Sequence, residues 1–170
     1  MGARRNIELK ARLRDRDGAL RVCEELSAVA QGDIHQVDTY FQVPQGRLKL
    51  REAQPGRTEL VQYFRPDVAG ARGCDYQLAP VDATVKPLLA EALGIITVVD
   101  KVRTLYLWHN VRIHVDRVEG LGDFLEFEAV LDEAHHDDDG HQKLSMLTER
   151  FGLQPADLCP LSYLELSLSS

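Results

Sequence analysis

From Asn6 to Leu13 the chain reads Asn-Ile-Glu-Leu-Lys-Ala-Arg-Leu, with every second residue apolar and the others polar or charged. Side chains alternate across a β-strand, so a strand here has an apolar face (Ile7, Leu9, Ala11, Leu13) and a polar one (Asn6, Glu8, Lys10, Arg12). The pattern recurs along the chain. Leu48 and Leu50 oppose Arg47, Lys49 and Arg51, and Val111, Ile113 and Val115 oppose Arg112, His114 and Asp116. Leu125, Phe127, Ala129 and Leu131 oppose Phe124, Glu126, Glu128 and Val130, while Lys101 and Arg103 share a face. A sheet of such strands must bury one face and give the other water or a ligand.

The remaining segments supply what covers the apolar face. Helical spacing places Leu20, Cys23, Leu26 and Ala30 on one stripe of residues 15–30, with Asp15 or Asp17 as cap. A second helix is expected over 83–93, with Thr84 as cap and Gly94 as stop. A third is expected over 141–151, with the stripe Leu144, Leu147 and Phe151 ending at Gly152. Strands are expected at 6–14, 34–43, 47–52, 58–65, 76–81, 95–109 (in one or two pieces), 111–118 and 123–131, mostly joined by tight turns. Residues 66–75 and 133–140 read as loops, and a short tail follows around 162–168. The antiparallel order makes this an α+β chain, with no internal linker or repeat to divide residues 1–170.

Three amphipathic helices need apolar partners, and the apolar strand faces are the only large ones. If the helices lie outside, the charged faces look inward. A sheet that curls to closure then encloses Glu8, Lys10, Lys49, Arg51, Lys101, Arg103, Asp116, Glu126 and Glu128 in one lumen. The alternative is an open sheet with one solvated face. The sorting of charge favours enclosure: Lys-x-Arg occurs at 49/51 and 101/103, and Glu-x-Glu at 126/128. Like charges two apart on one face repel unless a ligand of opposite sign lies between them. Converging Lys and Arg suit a polyanion. Carboxylates beside it require a divalent cation, and hard oxygen donors suit Mg²⁺ or Mn²⁺.

Composition narrows the partners. With 27 acidic and 20 basic residues the net charge is −7, which disfavours broad binding to nucleic acid or anionic membranes but allows a local basic pocket. No apolar run has the length of a membrane span, and the N-terminus lacks a signal-peptide core. Cys23, Cys74 and Cys159 form neither a zinc pattern nor a disulfide framework, which points to a cytoplasmic protein with free thiols. The cluster from His135 to His141 reads as a solvated loop, and Val68–Gly73 lacks the P-loop order, leaving it a flap that brings Arg72 towards ligand. His114 is either a base or orienting group or a bystander at the rim. Asp38 is a candidate partner for a basic residue, and Trp108 reads as an ordinary aromatic at a strand end.

The segments "NIELK", "DTYF", "LKLR", "VDKVRTLY" and "IHVDRVEGLGDFLEFE" together resemble the CYTH superfamily, the triphosphate tunnel metalloenzymes, over nearly the whole chain. "VEGLGDFLEFE" with "SYLEL" is most similar to the class IV adenylate cyclase branch. The resemblance implies a closed or nearly closed eight-stranded antiparallel β-barrel with helices packed outside. It implies a bound triphosphate with Mg²⁺ or Mn²⁺, and either conversion of ATP to cyclic AMP and pyrophosphate or hydrolysis of inorganic, nucleoside or thiamine triphosphate. By position, Glu8, Glu126 and Glu128 match the catalytic, metal-binding acids and Asp116 a further acid of that set. Lys10, Lys49, Arg51, Arg65, Lys101 and Arg103 match the phosphate-contacting bases, Arg65 through "FRPD" alone. One position departs from the family pattern: Glu-x-Glu-x-Lys is here Asn6-x-Glu8-x-Lys10. Asn keeps a neutral oxygen but loses a charge, which bears on a second metal and on the choice of reaction. A non-catalytic binder of phosphorylated ligands is the alternative, and the family also allows a homodimer.

Overall fold

The computed structural model describes residues 4–170. Its strands are β1 (Arg4–Arg12), β2 (Val29–Phe41), β3 (Arg47–Gln54), β4 (Thr58–Phe64), β5 (Arg72–Pro80), β6 (Ile95–Trp108), β7 (Val111–Val118) and β8 (Gly122–Val130). The helices are α1 (Arg16–Glu25), α2 (Val85–Leu93), α3 (Asp137–Arg150) and α4 (Tyr163–Leu168). All eight strands pair antiparallel in the order β1-β5-β4-β3-β2-β6-β7-β8, and β8 pairs back onto β1 to close a barrel. Closure removes both sheet edges and commits each strand's alternate residues to inside or outside.

The outer face of β1, β7 and β8 is the apolar one. Ile7, Leu9, Ile113, Leu125 and Phe127 pack there with Cys23 of α1 and with Leu144 and Leu147 of α3. Gly140 lets α3 lie this close: a Cβ there would meet Ile7 Cγ1 at 2.9 Å. A second cluster joins Val99, Val118 and Phe124 to Tyr163, Leu164 and Leu166, so α4 closes one end of the lumen. No helix among the described residues is long and apolar enough to cross a membrane.

Local signals account for most boundaries. Asp15 caps α1, its Oδ1 accepting the Gly18 N–H at 2.9 Å. Gly152 follows α3 with φ 64°, a conformation open to glycine at no steric cost. Four boundaries differ from expectation. Helix α1 stops at Glu25, and Ala30 lies in β2, because the first residues of β2 pair with the far end of β6. Strand β5 takes in Arg72–Asp75, assigned above to a loop, because β1 pairs with it there. Helix α3 begins at Asp137, where three acids in the first turn complement the helix dipole. The tail forms α4, opened by a reciprocal capping box between Ser162 and Glu165 that is too short to leave a periodic pattern.

Candidate active site

Strand alternation and barrel register place the polar faces inside. Across β1 and β8, Lys10 lies opposite Glu126 and Glu8 opposite Glu128. Arg103 on β6 faces Asp116 on β7, and Asp38 on β2 faces Arg51 on β3. The lumen holds a cavity of about 170 Å³. Glu8, Lys10, Lys49, Arg51, Arg65, Arg103, Glu126 and Glu128 all line it, with Asn6 and Arg112. Lys101 and Asp116 do not; they lie beneath the lining, almost wholly buried.

One wall is acidic. Glu126 lies 3.4 Å from Lys10 Nζ, 3.3 Å from His114 Nδ1 and 3.8 Å from Arg103. Burial alone would raise the Glu126 carboxyl, but Lys10, His114 and Arg103 outweigh it and hold the group well below the usual carboxylate range. Glu128 meets Arg112 at 3.5 Å and His114 Nε2 at 3.8 Å. Glu8 meets Arg65 at 3.1 Å, yet burial and the neighbouring charges of Glu126 and Glu128 raise it above its ordinary value. His114 is buried behind the two β8 acids, not at the rim. The arrangement fits a hard divalent cation. His114, Glu126 and Glu128 each offer a ligand atom, all within 4.8 Å of one another. The buried Asn6 Oδ1 has no hydrogen-bond partner among the described residues and stands as a further oxygen at the same wall.

The opposite wall is basic. Lys49 and Arg51 reach the cavity from β3, and both are anchored below it on Asp38. Arg103 stands on β6, between this wall and the acids, and is held by a bidentate pair with Asp116, 2.7 Å at each oxygen; Tyr163 Oη donates to the same carboxylate at 2.7 Å. Both Asp116 oxygens are therefore committed to neighbours. Arg65 enters from beyond the end of β4 and donates to the Pro160 carbonyl. Buried Arg72 donates to the carbonyls of Val68 and Gly70, securing the 66–71 loop, while its Nε approaches Glu8 at 3.6 Å. Cations outnumber acids among the lining residues, although the whole chain is acidic. A further stretch of wall is apolar and aromatic, from Val61, Tyr63, Tyr76 and Leu78.

Eight of the ten expected site residues line the cavity; the other two, Lys101 and Asp116, instead pair beneath it with Asp38 and Arg103. Arg112 and His114 were missed, although they share the alternating face of Asp116, the one residue of the three expected inside. Tyr163 lay within "SYLEL", but nothing local marked its place at the site, which depends on α4 folding back to the barrel end.

The geometry agrees with the comparisons. The CYTH domain model matches residues 4–163. The chain belongs to the CYTH domain family. Among curated proteins, this CYTH domain is 27% identical over 166 residues to adenylate cyclase CyaB of Aeromonas hydrophila, covering 92% of this chain and 85% of that one. Among solved structures, it superposes on the PH1012 protein of Pyrococcus horikoshii OT3 with a TM-score of 0.76 at 25% identity, covering 95% and 98% of the two chains. It also superposes on HpAC1 of Hippeastrum, described as having a dominant triphosphatase activity. There the TM-score is 0.68 at 14% identity, over 96% and 95% of the chains, and the likeness is one of fold.

Proposed function

We propose that this CYTH domain is a divalent-cation-dependent enzyme that binds an organic triphosphate in the barrel lumen and cleaves its phosphate chain. The observation that carries the reading is the facing of two walls in one closed lumen: Glu8, Glu126 and Glu128 on one side and Lys49 and Arg51 on the other, with Arg103 between them, 3.8 Å from Glu126. A phosphate chain between them meets hydrogen-bond donors from strands on both sides, and the acids give the accompanying cation its ligands. Glu126, Glu128 and Glu8 would hold Mg²⁺ or Mn²⁺, which would supply Lewis-acid withdrawal of charge from phosphate oxygens. Arg103 and Arg51 present planar guanidinium groups able to take two oxygens at once. Lys10, whose ammonium lies 3.9 Å above the Tyr163 ring, supplies a point charge near the β8 acids. Asp116 serves in this reading as the anchor of Arg103, and Lys101 as a partner of Asp38 rather than a contact to phosphate.

Phosphoryl transfer depends mainly on positioning and charge neutralisation, so this cradle serves two reactions. In cyclisation the ribose 3′-hydroxyl attacks the α-phosphorus, and pyrophosphate leaves towards the basic residues. In hydrolysis water attacks the terminal phosphorus. The name of the Aeromonas relative supports the first and the described activity of the Hippeastrum neighbour the second. The apolar and aromatic wall supports an organic group on the triphosphate, since inorganic triphosphate has nothing to place against it. The buried free thiols Cys23, Cys74 and Cys159 support a reducing, cytoplasmic setting.

A second reading, a non-catalytic binder, has Asn6 in its favour, since the wall lacks one family acid there. Incubation with ATP, inorganic triphosphate or thiamine triphosphate, each with Mg²⁺ or Mn²⁺, separates these readings. Cyclic AMP with pyrophosphate identifies the cyclase, and free phosphate the hydrolase. Saturable binding without product identifies the binder and removes the enzymatic reading.

A further inference from the structure

Asp38 lies in the middle of β2, between β3 and β6 in the barrel order, and its side chain points inward. It is 0% exposed and does not reach the cavity. Three cations from the two flanking strands converge on it. Arg51 donates from Nε and Nη2, each at 2.8 Å, Lys49 Nζ at 2.8 Å and Lys101 Nζ at 2.9 Å. A buried carboxylate is costly unless paired, and here the attraction of the three cations outweighs burial and keeps the group ionised.

The consequence lies in what the bases have left to offer. A guanidinium carries five N–H donors and an ammonium three. With two of Arg51's donors and one of Lys49's given to Asp38, the remaining donors belong to groups whose positions are already set, and both side chains line the cavity. Without the carboxylate, Lys49, Arg51 and Lys101 would be three like charges confined together, and repulsion would turn them apart.

We propose that Asp38 is a positioning residue for triphosphate binding, a permanent internal anion that holds Lys49 and Arg51 in the arrangement a phosphate chain requires. The inference rests on the reading above that these two bases contact phosphate. Preorganisation of this kind removes the cost of gathering cations at the moment of binding.

The test titrates inorganic triphosphate with Mg²⁺ into the parent protein, Arg51→Ala, Asp38→Asn and the double variant Asp38→Asn/Lys101→Met, and follows kcat and KM for any triphosphate that is turned over. The double variant removes one buried charge of each sign and so protects against failure to fold. Asp38→Asn and the double variant are expected to weaken triphosphate binding at least about tenfold, the scale of a small misplacement of a binding group. The loss should appear in KM, with kcat at saturation within about threefold of the parent, a split that general loosening would not give. If Arg51→Ala binds like the parent, the phosphate reading of the basic wall fails, whatever Asp38 does. If Arg51→Ala is weakened while a folded Asp38 variant binds like the parent, the positioning role is overturned. It is also overturned if both Asp38 variants are unfolded, since Asp38 is then a folding residue.

Discussion

Glu126 and Arg103 show how differently two single changes act in one lumen. Glu126→Gln keeps the side-chain volume and one oxygen while removing the charge beside Lys10, His114 and Arg103. It is expected to lower kcat by at least about 10²-fold with the barrel intact, read from turnover together with circular dichroism. Arg103→Ala takes away a cavity donor and also strands Asp116, which is fully buried and among the described residues keeps only the Tyr163 side chain as a hydrogen-bond donor. Loss of triphosphate affinity should therefore come with destabilisation of about 3–5 kcal/mol, measurable by urea denaturation. Triphosphate affinity and stability both unchanged would sink the assigned role of Arg103.

At the scale of elements, helices α3 and α4 fix the outside and one end of the barrel. Gly→Ala within a helix ordinarily gains about 1 kcal/mol. Gly140→Ala should instead destabilise, by about 1–3 kcal/mol in chemical denaturation, because the added Cβ meets Ile7, which lies within the core. Tyr163→Phe removes the α4 hydroxyl that donates to Asp116 and is expected to cost about 1–2 kcal/mol, with weaker holding of Arg103 in consequence. These elements also show how far the sequence could be read. The strands with clean alternation, β1, β3, β7 and β8, lie within two residues of their expected bounds. The misread segments were those whose state depends on a remote partner: the start of β2 on β6, and the start of β5 on β1. Helix α4 was hidden for a related reason, since six residues are too few to show a period and the helix owes its place to the barrel end it covers.

At the scale of the whole molecule, burial of the basic wall makes its charge sensitive to pH. Burial first, then neighbouring cations, lowers Lys49 to about 8 and Lys101 to about 7. An unfolded chain holds lysine protons up to about pH 10.4. Between the folded and unfolded values the unfolded state binds more protons, so these two lysines make stability rise with pH from about 7 towards 10. Tyr63 acts in the opposite sense: burial pushes it up to about 12, so the folded state keeps a proton the unfolded chain loses, and stability falls above about pH 10. Calorimetric unfolding across this range should show that rise and fall. Triphosphate binding should restore the Lys49 proton. Near pH 8.5, titrations in buffers of different ionisation enthalpy should therefore reveal proton uptake on binding; its absence would place Lys49 away from the phosphate chain.

Alternation by itself determined which residues share a face, and the need of apolar helix stripes for a partner pointed the charged faces inward, a need that α1 and α3 meet while α2 buries none of its residues. The same pattern grouped Lys49 with Arg51, Lys101 with Arg103 and Glu126 with Glu128, because a period of two is a local property of the backbone. Which of these side chains reach the cavity was a matter of tertiary structure. Lys101 and Lys49 look alike in the sequence, yet one lines the lumen and the other lies under it on Asp38. Depth inside a closed barrel follows from strand register and from what plugs its end, and both arise from pairings between residues far apart in the chain.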